Sequence, residues 1–334
     1  MIKIIAWTTI IGYFCNVNKN LLRMKKINVF LVAVMVMSMA NLASCNGKQP
    51  QRMLDRLDHD DDVALNVASP LRLKETSFEK ETKYAKVEID AEYPVGDDMV
   101  SANIRKDLIG VFGKAATLNE DLKGVTPYVS DSPKMGSAVD YYGGKIYDGL
   151  RALSAEDNEV RNETEKDMAK EEGREYRKLD VMQYFYEIDV DRDWETNNYC
   201  VFDVEVEMFN GGAHGSSIDL GGLTYDKRTG KRFTSFLKSS SAGEMQQILR
   251  TGLVSYFVKE GQAVDDSSLN DMLQIEGNTI PLPQLVPYPT AQGLVFLYGQ
   301  YEIAPYAAGK PKFCVPYNKV KKFLTPEAIQ LLGL

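Results

Sequence analysis

The 334-residue sequence has few of the residues on which common enzyme sites depend. It contains two histidines, His59 and His214, and four cysteines. His59 lies in an acidic N-terminal stretch, so a zinc site with two or three histidines in the folded body is excluded. No serine occupies a Gly-x-Ser-x-Gly turn, and no glycine-rich segment matches a phosphate-binding loop. A basic excess is also missing: the net charge of −8 argues against binding to nucleic acid.

Long apolar runs are missing too. A membrane span takes about 20 apolar residues, and the run over residues 29–40 is shorter. Two lysines precede this run, and small residues and a cysteine follow it at 42–45, which is the order of a secretory signal. Met24 opens a complete signal by itself. We therefore interpret residues 1–44 as a mis-called N-terminal extension plus a signal peptide.

Residues 42–45, Leu-Ala-Ser-Cys, resemble the lipobox of bacterial lipoproteins. The resemblance implies cleavage before Cys45, acylation of Cys45 and lipid anchoring to the bacterial cell envelope, with the periplasmic and surface faces both open. Each buried methylene contributes about 0.8 kcal/mol, so two or three acyl chains hold a protein stably at the bilayer. A buried N-terminal helix is the alternative.

Export has consequences for charge and for the cysteines. The leader holds five basic residues and no acid, so the mature chain carries a net charge of −13, which allows cationic partners. Residues 45–70 include the acidic run 58–62 and are predicted to form a flexible tether, with metal capture as the alternative.

An oxidising compartment permits a disulfide between Cys200 and Cys314. Two buried free thiols are the other alternative.

Hydrophobic periodicity predicts two folded parts, an α+β subdomain over 71–178 and an α+β domain over 179–334. For the first part it predicts a strand over 71–93, a helix over about 99–117 with Asp97 or Asp98 as N-cap, and an exposed helix over 150–178. For the second it predicts strands over 182–190, 199–209, 220–225, 232–236, 294–298 and 312–315, and helices beginning at Ser241, 320 and 326. The predicted fold is therefore α+β, an antiparallel sheet with helices packed on it.

Two segments resemble a known family. The first is Asn-Gly-Gly-Ala-His-Gly at 210–215, and the second is 298–309, with Tyr-Glu-Ile-Ala-Pro-Tyr at its centre and Val-Pro-Tyr following at 315–317. Together they resemble the uncharacterised extracellular domain of lysozyme-sensing anti-sigma factors, which also precedes some peptidoglycan deacetylases. The resemblance covers about residues 180–325 and implies a sensor or binding domain. The histidines are too few for the deacetylase metal site, and anti-sigma activity is not carried over.

The two segments supply the predicted binding residues: Gly211, Gly212, His214, Tyr301, Glu302 and Tyr306. We expect the segments to adjoin, with the glycines in conformations that a Cβ would strain. For His214, a turn-stabilising ring, a ligand contact and a catalytic role all stay open. Glu302 is expected to be a buried, paired carboxylate.

These features predict an envelope-anchored lipoprotein that binds or senses a lysozyme-like cationic protein or an envelope glycan such as peptidoglycan. The alternative is an enzyme that acts on envelope polymer with His214 or Glu302 as the acid–base group. A structural role in the envelope, with no soluble ligand, is a third hypothesis. No cofactor, no metal and no nucleic-acid partner is expected.

Overall fold

The computed structural model describes residues 69–122, 125–212 and 215–334. The predicted leader 1–44, the lipidation site Cys45 and nearly all of the tether lie outside these residues, as does His214. Among the helices of the described residues, none is both long and apolar enough to cross a bilayer.

The first sheet is built from strands on both sides of the helical region. Its strands are β1 Leu73–Glu81, β2 Ala85–Pro94, β3 Tyr184–Glu195, β4 Tyr199–Phe209, β5 Ser216–Asp219, β6 Leu223–Asp226 and β7 Lys231–Arg232. The order is β1-β2-β3-β4-β6-β7, with β5 beside β4. β2 and β3 are parallel, and the other neighbouring pairs are antiparallel.

Two helices cover one face of this sheet. α1, Met99–Ala115, begins at the predicted N-cap Asp98, whose carboxylate accepts from the Ser101 N–H at 2.9 Å. α2, Met135–Glu171, packs against β1 and β2. Buried apolar side chains from both helices meet the alternating apolar side chains of β2, β3 and β4 in a first core.

The chain after β7 forms a second, smaller layer. Its elements are α3 Ser241–Glu244, α4 Gln246–Lys259, α5 Leu269–Met272, β8 Tyr288–Pro289, β9 Gly293–Leu297, β10 Lys312–Pro316, α6 Tyr317–Val320 and α7 Pro326–Leu332. β8, β9 and β10 form an antiparallel sheet. This layer packs around a second core that includes Tyr199 and Val201 of β4, so β4 contributes to both cores. The predicted α+β fold, antiparallel sheet with helices packed on it, is confirmed.

Cys200 and Cys314 are both free cysteines in the fold, so the predicted disulfide is not formed; Cys200 is buried as the two-thiol alternative expects, but Cys314 is only partly buried. Cys200 points into the first core from β4. Cys314 lies on β10, packs against the second core and has its Sγ 3.8 Å from the Thr290 hydroxyl. The two side chains therefore belong to different cores. Burial raises the pKa of the Cys200 thiol to about 12, which keeps it protonated and unreactive at neutral pH.

A buried ion pair holds the start of the described chain. Lys227 Nζ lies 2.6 Å from Glu195 Oε1, and both side chains are more than nine-tenths buried. Lys227 also donates to the Ser69 carbonyl at 2.8 Å, and Glu195 Oε1 accepts from the Leu71 N–H at 2.9 Å. Arg192 donates to the other Glu195 oxygen at 2.9 Å. The segment that follows the tether is thus fixed to the tip of the β3–β4 hairpin.

Candidate functional site

The second motif forms a tight turn that begins where β9 ends. The Glu302 N–H donates to the Gly299 carbonyl at 3.1 Å, and the Gly299 N–H donates back to Glu302 Oε2 at 2.7 Å. Tyr301 in this turn has φ of 64° and is the single non-glycine residue with positive φ in the described part of the chain. An aromatic residue in this conformation is strained, and such strain concentrates at functional sites.

Glu302 connects this turn to a second loop. Its Oε1 accepts from the Gln284 N–H at 2.7 Å, while Oε2 accepts from Gly299. Both carboxylate oxygens are therefore used by backbone N–H groups, and the residue is half-buried rather than deeply buried. This geometry gives Glu302 a positioning role for Tyr301 and adds no support to an acid–base role.

The two tyrosines of the motif form an aromatic pair beside the first motif. The rings of Tyr301 and Tyr306 lie 5.8 Å apart at 42°, and Tyr301 is 55% exposed. The Tyr306 hydroxyl donates to the Gly215 carbonyl at 3.1 Å. The segments 210–215 and 298–309 therefore adjoin through this bond, as the sequence predicts.

The first motif, 210–215, is held by contacts with β3 and with the residues that follow α1. Gly211 has φ of 92° and lies directly against the Tyr184 hydroxyl, so a Cβ here would both strain the backbone and clash. Tyr184 in turn donates to Asp157 at 2.6 Å, and Asn210 donates to Asp121 at 3.0 Å. Gly212 is exposed. The positive φ expected of the glycines is thus seen at Gly211.

Beside these motifs, the face of the first sheet opposite the first core carries carboxylates in aligned rows. The first acidic row joins directly opposed residues of four strands: Glu79, Glu88, Glu187 and Glu207. The second acidic row does so on three strands: Asp90, Asp189 and Glu205. Like charges directly opposite one another on a sheet are destabilising. We call the two rows together the acidic face.

Two lysines lie on the acidic face. Lys86 Nζ is 2.6 Å from Glu88 and 3.2 Å from Glu187. Lys310, four residues after Tyr306, lies 2.6 Å from Glu205 Oε1 and donates to Ser217 at 2.6 Å. Burial raises the pKa of Glu205, but its hydrogen bond and attraction to Lys310 outweigh burial and leave the pKa below its ordinary value. Lys310 therefore connects the tyrosine motif to the acidic face.

Within the three described ranges, no group of three or more His, Cys, Asp or Glu side chains converges in a way that could hold a metal ion. The site instead combines an exposed tyrosine, rigid turns and many carboxylates. Such a surface is suited to binding a partner that carries positive charge.

Part of the chain matches a known protein family. Residues 244–318 match a family described as a protein of unknown function, DUF3298. The DUF3298-like region includes Tyr301, Glu302, Tyr306 and Lys310. No curated protein matches the sequence.

Two solved structures are similar to the chain. A DUF3298 family member from Bacteroides fragilis has a TM-score of 0.54 and 17% identity, and the match covers 79% of this chain and 98% of that one. A DUF3298 family protein from Pseudomonas aeruginosa has a TM-score of 0.48 and 14% identity, with 78% and 98% covered. At 17% identity, the Bacteroides fragilis structure shows a shared fold.

Sequence reasoning did not find the acidic face, because opposed pairs depend on strand register. One signal was present. Acids alternate with apolar residues over 86–92, 187–191 and 203–207, which places each set on one face of its own strand. The parallel pairing of β2 with β3 then brings acids from distant parts of the chain into line.

Proposed function

We propose that this protein is an envelope-anchored lipoprotein whose folded part binds a cationic protein. The lipobox-like residues 42–45 support the anchor, and the resemblance of 180–325 to a lysozyme-sensing domain supports a protein ligand. The observation that carries the proposal is the acidic face, bordered by the Tyr301–Tyr306 pair.

Charge complementarity favours a cationic protein over an envelope glycan. A lysine or arginine that approaches the rows meets several carboxylates at once, because neighbouring strands are only about 4.8 Å apart. A further cation beside Lys86 and Lys310 is attracted to the rows, whereas a negatively charged polymer is repelled by them. Tyr301 adds an exposed ring at the border, where an arginine or lysine can pack on its face.

Calorimetry with hen lysozyme as a basic probe tests the charge argument. The double variant Asp189→Asn/Glu207→Gln should bind about tenfold more weakly, which corresponds to about 1.4 kcal/mol. The matched control is Glu159→Gln/Glu163→Gln, which removes the same charge from the exposed side of α2. Binding should also fall between low and physiological salt, where charges are screened within about 8 Å. Equal affinity of the two variants, or no measurable binding by the wild type, contradicts the proposal.

Tyr301 provides a second test, because one substitution should raise thermal stability and lower lysozyme affinity. Tyr301→Gly removes the ring and relieves the positive φ, so thermal stability should rise while lysozyme affinity falls. Tyr301→Phe is the control that keeps the ring, and it should bind nearly as well as the wild type. If Tyr301→Gly loses no affinity, the tyrosine pair has no part in binding.

The anchor is tested separately in cells. Cys45→Ala should move the protein out of the membrane fraction or leave an unprocessed leader, because acylation needs the cysteine thiol. Detergent-phase partitioning of the wild type is the measurement. A wild-type protein that stays in the aqueous phase and keeps residues before Cys45 contradicts the lipoprotein part of the proposal and leaves the binding part intact.

A further inference from the structure

A groove of about 570 Å³ lies far along the chain from the tyrosine motif, between α1, the segment 126–133 and α2. This volume is within the range of pockets that hold small ligands, roughly 300–1,000 Å³. One wall is a stripe along α1 made by Lys106, Gly110, Lys114 and Thr117. These residues follow one another at three- and four-residue spacing, so they share one face of the helix.

Two glycines of α1 line this groove. A Cβ at Gly113 would approach the Tyr142 hydroxyl to 2.8 Å, so packing explains that glycine. At Gly110, by contrast, a Cβ would meet nothing within 4 Å. Glycine inside a helix is less stable than alanine, and no neighbour in the fold requires it at this position. The effect of Gly110 is to leave open space between the two lysines.

The opposite wall is fixed by hydrogen bonds to α2. The Tyr128 N–H donates to the Tyr142 hydroxyl at 2.9 Å, and the Thr126 and Tyr141 hydroxyls are 2.7 Å apart. The Tyr128 and Tyr141 rings lie 5.6 Å apart. Val129, which follows, is 88% exposed at the rim. The wall therefore presents aromatic and apolar surface from a preformed segment rather than from a loose loop.

The charge of the groove is opposite to that of the chain. Its thirteen lining residues include Lys106 and Lys114 and contain no Asp or Glu, although the chain has 47 acids against 39 basic residues. The two lysines are eight residues apart on α1, which is about 12 Å along the helix axis. A single small anion cannot contact both, so the spacing favours an extended ligand with more than one negative group.

We infer that this groove binds an oligosaccharide that carries carboxylates, as a site separate from the acidic face. The ring faces of a sugar suit the tyrosine and glycine surfaces, its hydroxyls suit the hydroxyl groups of Thr117, Thr126 and Ser130, and its carboxylates suit the two lysines. An acyl chain fits less well, because an open groove with lysines and hydroxyls leaves it in contact with water.

Calorimetry on the full-length protein with tetragalacturonic acid tests this site. The probe should bind saturably, and neutral chitotetraose should bind at least tenfold more weakly. Lys106→Ala/Lys114→Ala should reduce tetragalacturonic acid affinity at least tenfold. Lys166→Ala/Lys170→Ala, which removes two exposed lysines from the far end of α2, should leave it unchanged.

Gly110→Leu separates a filled groove from a damaged fold. Leucine favours the helix and occupies the open space, so binding should be lost while the melting temperature is equal or higher. The inference is overturned by absence of saturable tetragalacturonic acid binding, by equal binding of chitotetraose, or by full displacement with millimolar inorganic phosphate, which would show a simple anion site. Retained affinity in Gly110→Leu would overturn it as well.

Discussion

The two faces of the first sheet are built from the same strands and have opposite character. On one face, Ile89, Ile188 and Val204 are almost completely buried beneath α1 and α2. On the other, Glu88 is opposite Glu187, which is opposite Glu207. Burial of apolar surface stabilises the fold by about 25 cal/mol per Å², whereas opposed like charges destabilise it. The first face therefore lies in the first core, whereas the second, apart from Tyr199 and Val201 in the second core, carries carboxylate rows that apolar burial does not explain.

The largest expected effect is on the apolar face. Phe202 is completely buried on β4, and its ring packs edge to face with Tyr225 at 6.0 Å. Phe202→Ala should lower the free energy of unfolding by about 3–5 kcal/mol, because the cavity cannot close fully. Urea denaturation measures it. Phe185→Ala is the matched control on the other face of the sheet, on β3, where the ring is half-buried. It should lower the free energy of unfolding clearly less. Equal losses would contradict the division between the faces.

The next effect concerns the buried ion pair of Lys227 and Glu195, which lies outside the two carboxylate rows. Lys227→Ala leaves Glu195 buried without its closest cation and frees the Ser69 carbonyl. Removing one member of a buried pair typically costs about 3–5 kcal/mol, and since Arg192 still contacts Glu195 we expect about 2–3 kcal/mol. Exposed Lys231→Ala in β7 is the control. If the two variants unfold at the same urea concentration, the pair does not anchor the chain at Ser69.

Much of this two-faced arrangement could be read from the sequence. Alternation over 182–190 and 199–209 predicts the β3–β4 hairpin, and helical spacing predicts α1 with Asp98 as its cap. The predicted single strand over 71–93 is instead a hairpin, β1 and β2. No glycine or proline marks its turn, which is closed by the Thr82 N–H and the Ala85 carbonyl at 2.8 Å. Without a turn residue such as glycine or proline, the sequence does not predict where the strand is interrupted.

Other differences also arise from tertiary contacts. α2 begins at Met135 rather than near 150, although glycines at 136, 143, 144 and 149 weaken the helical signal. Gly143 has a packing reason, since the Phe78 ring of β1 lies against it. The helix predicted to begin at Ser241 does begin there but is only the short α3, and the Ser241 hydroxyl donates to the Phe323 carbonyl at 3.3 Å. Contacts between distant residues decided each of these cases, and sequence spacing does not carry that information.

A smaller effect, of opposite sign, is expected on the acidic face. Glu79 is exposed on β1 and directly opposes Glu88. Glu79→Gln removes a like-charge contact and should raise the free energy of unfolding by about 0.2–1 kcal/mol. The gain should shrink in 1 M salt, where the Debye length is about 3 Å. Urea denaturation at low and high salt measures both. A loss of stability at low salt would mean that the rows support the fold.

The smallest effect tests how Lys310 joins the acidic face to the tyrosine motif. Lys310→Met removes the cation 2.6 Å from Glu205, and because Glu205 is 36% exposed the change should be below about 0.5 kcal/mol at neutral pH. The pKa of Glu205 is lowered in the fold, so its contribution is present above the unfolded value near 4.5 and is lost as pH falls through the lower folded value. The stability difference between wild type and Lys310→Met should therefore vanish on acidification. Lys166→Met, on exposed α2, should show no such pH dependence. A difference that persists below the folded pKa would mean that Lys310 acts through packing of its alkyl chain rather than through Glu205.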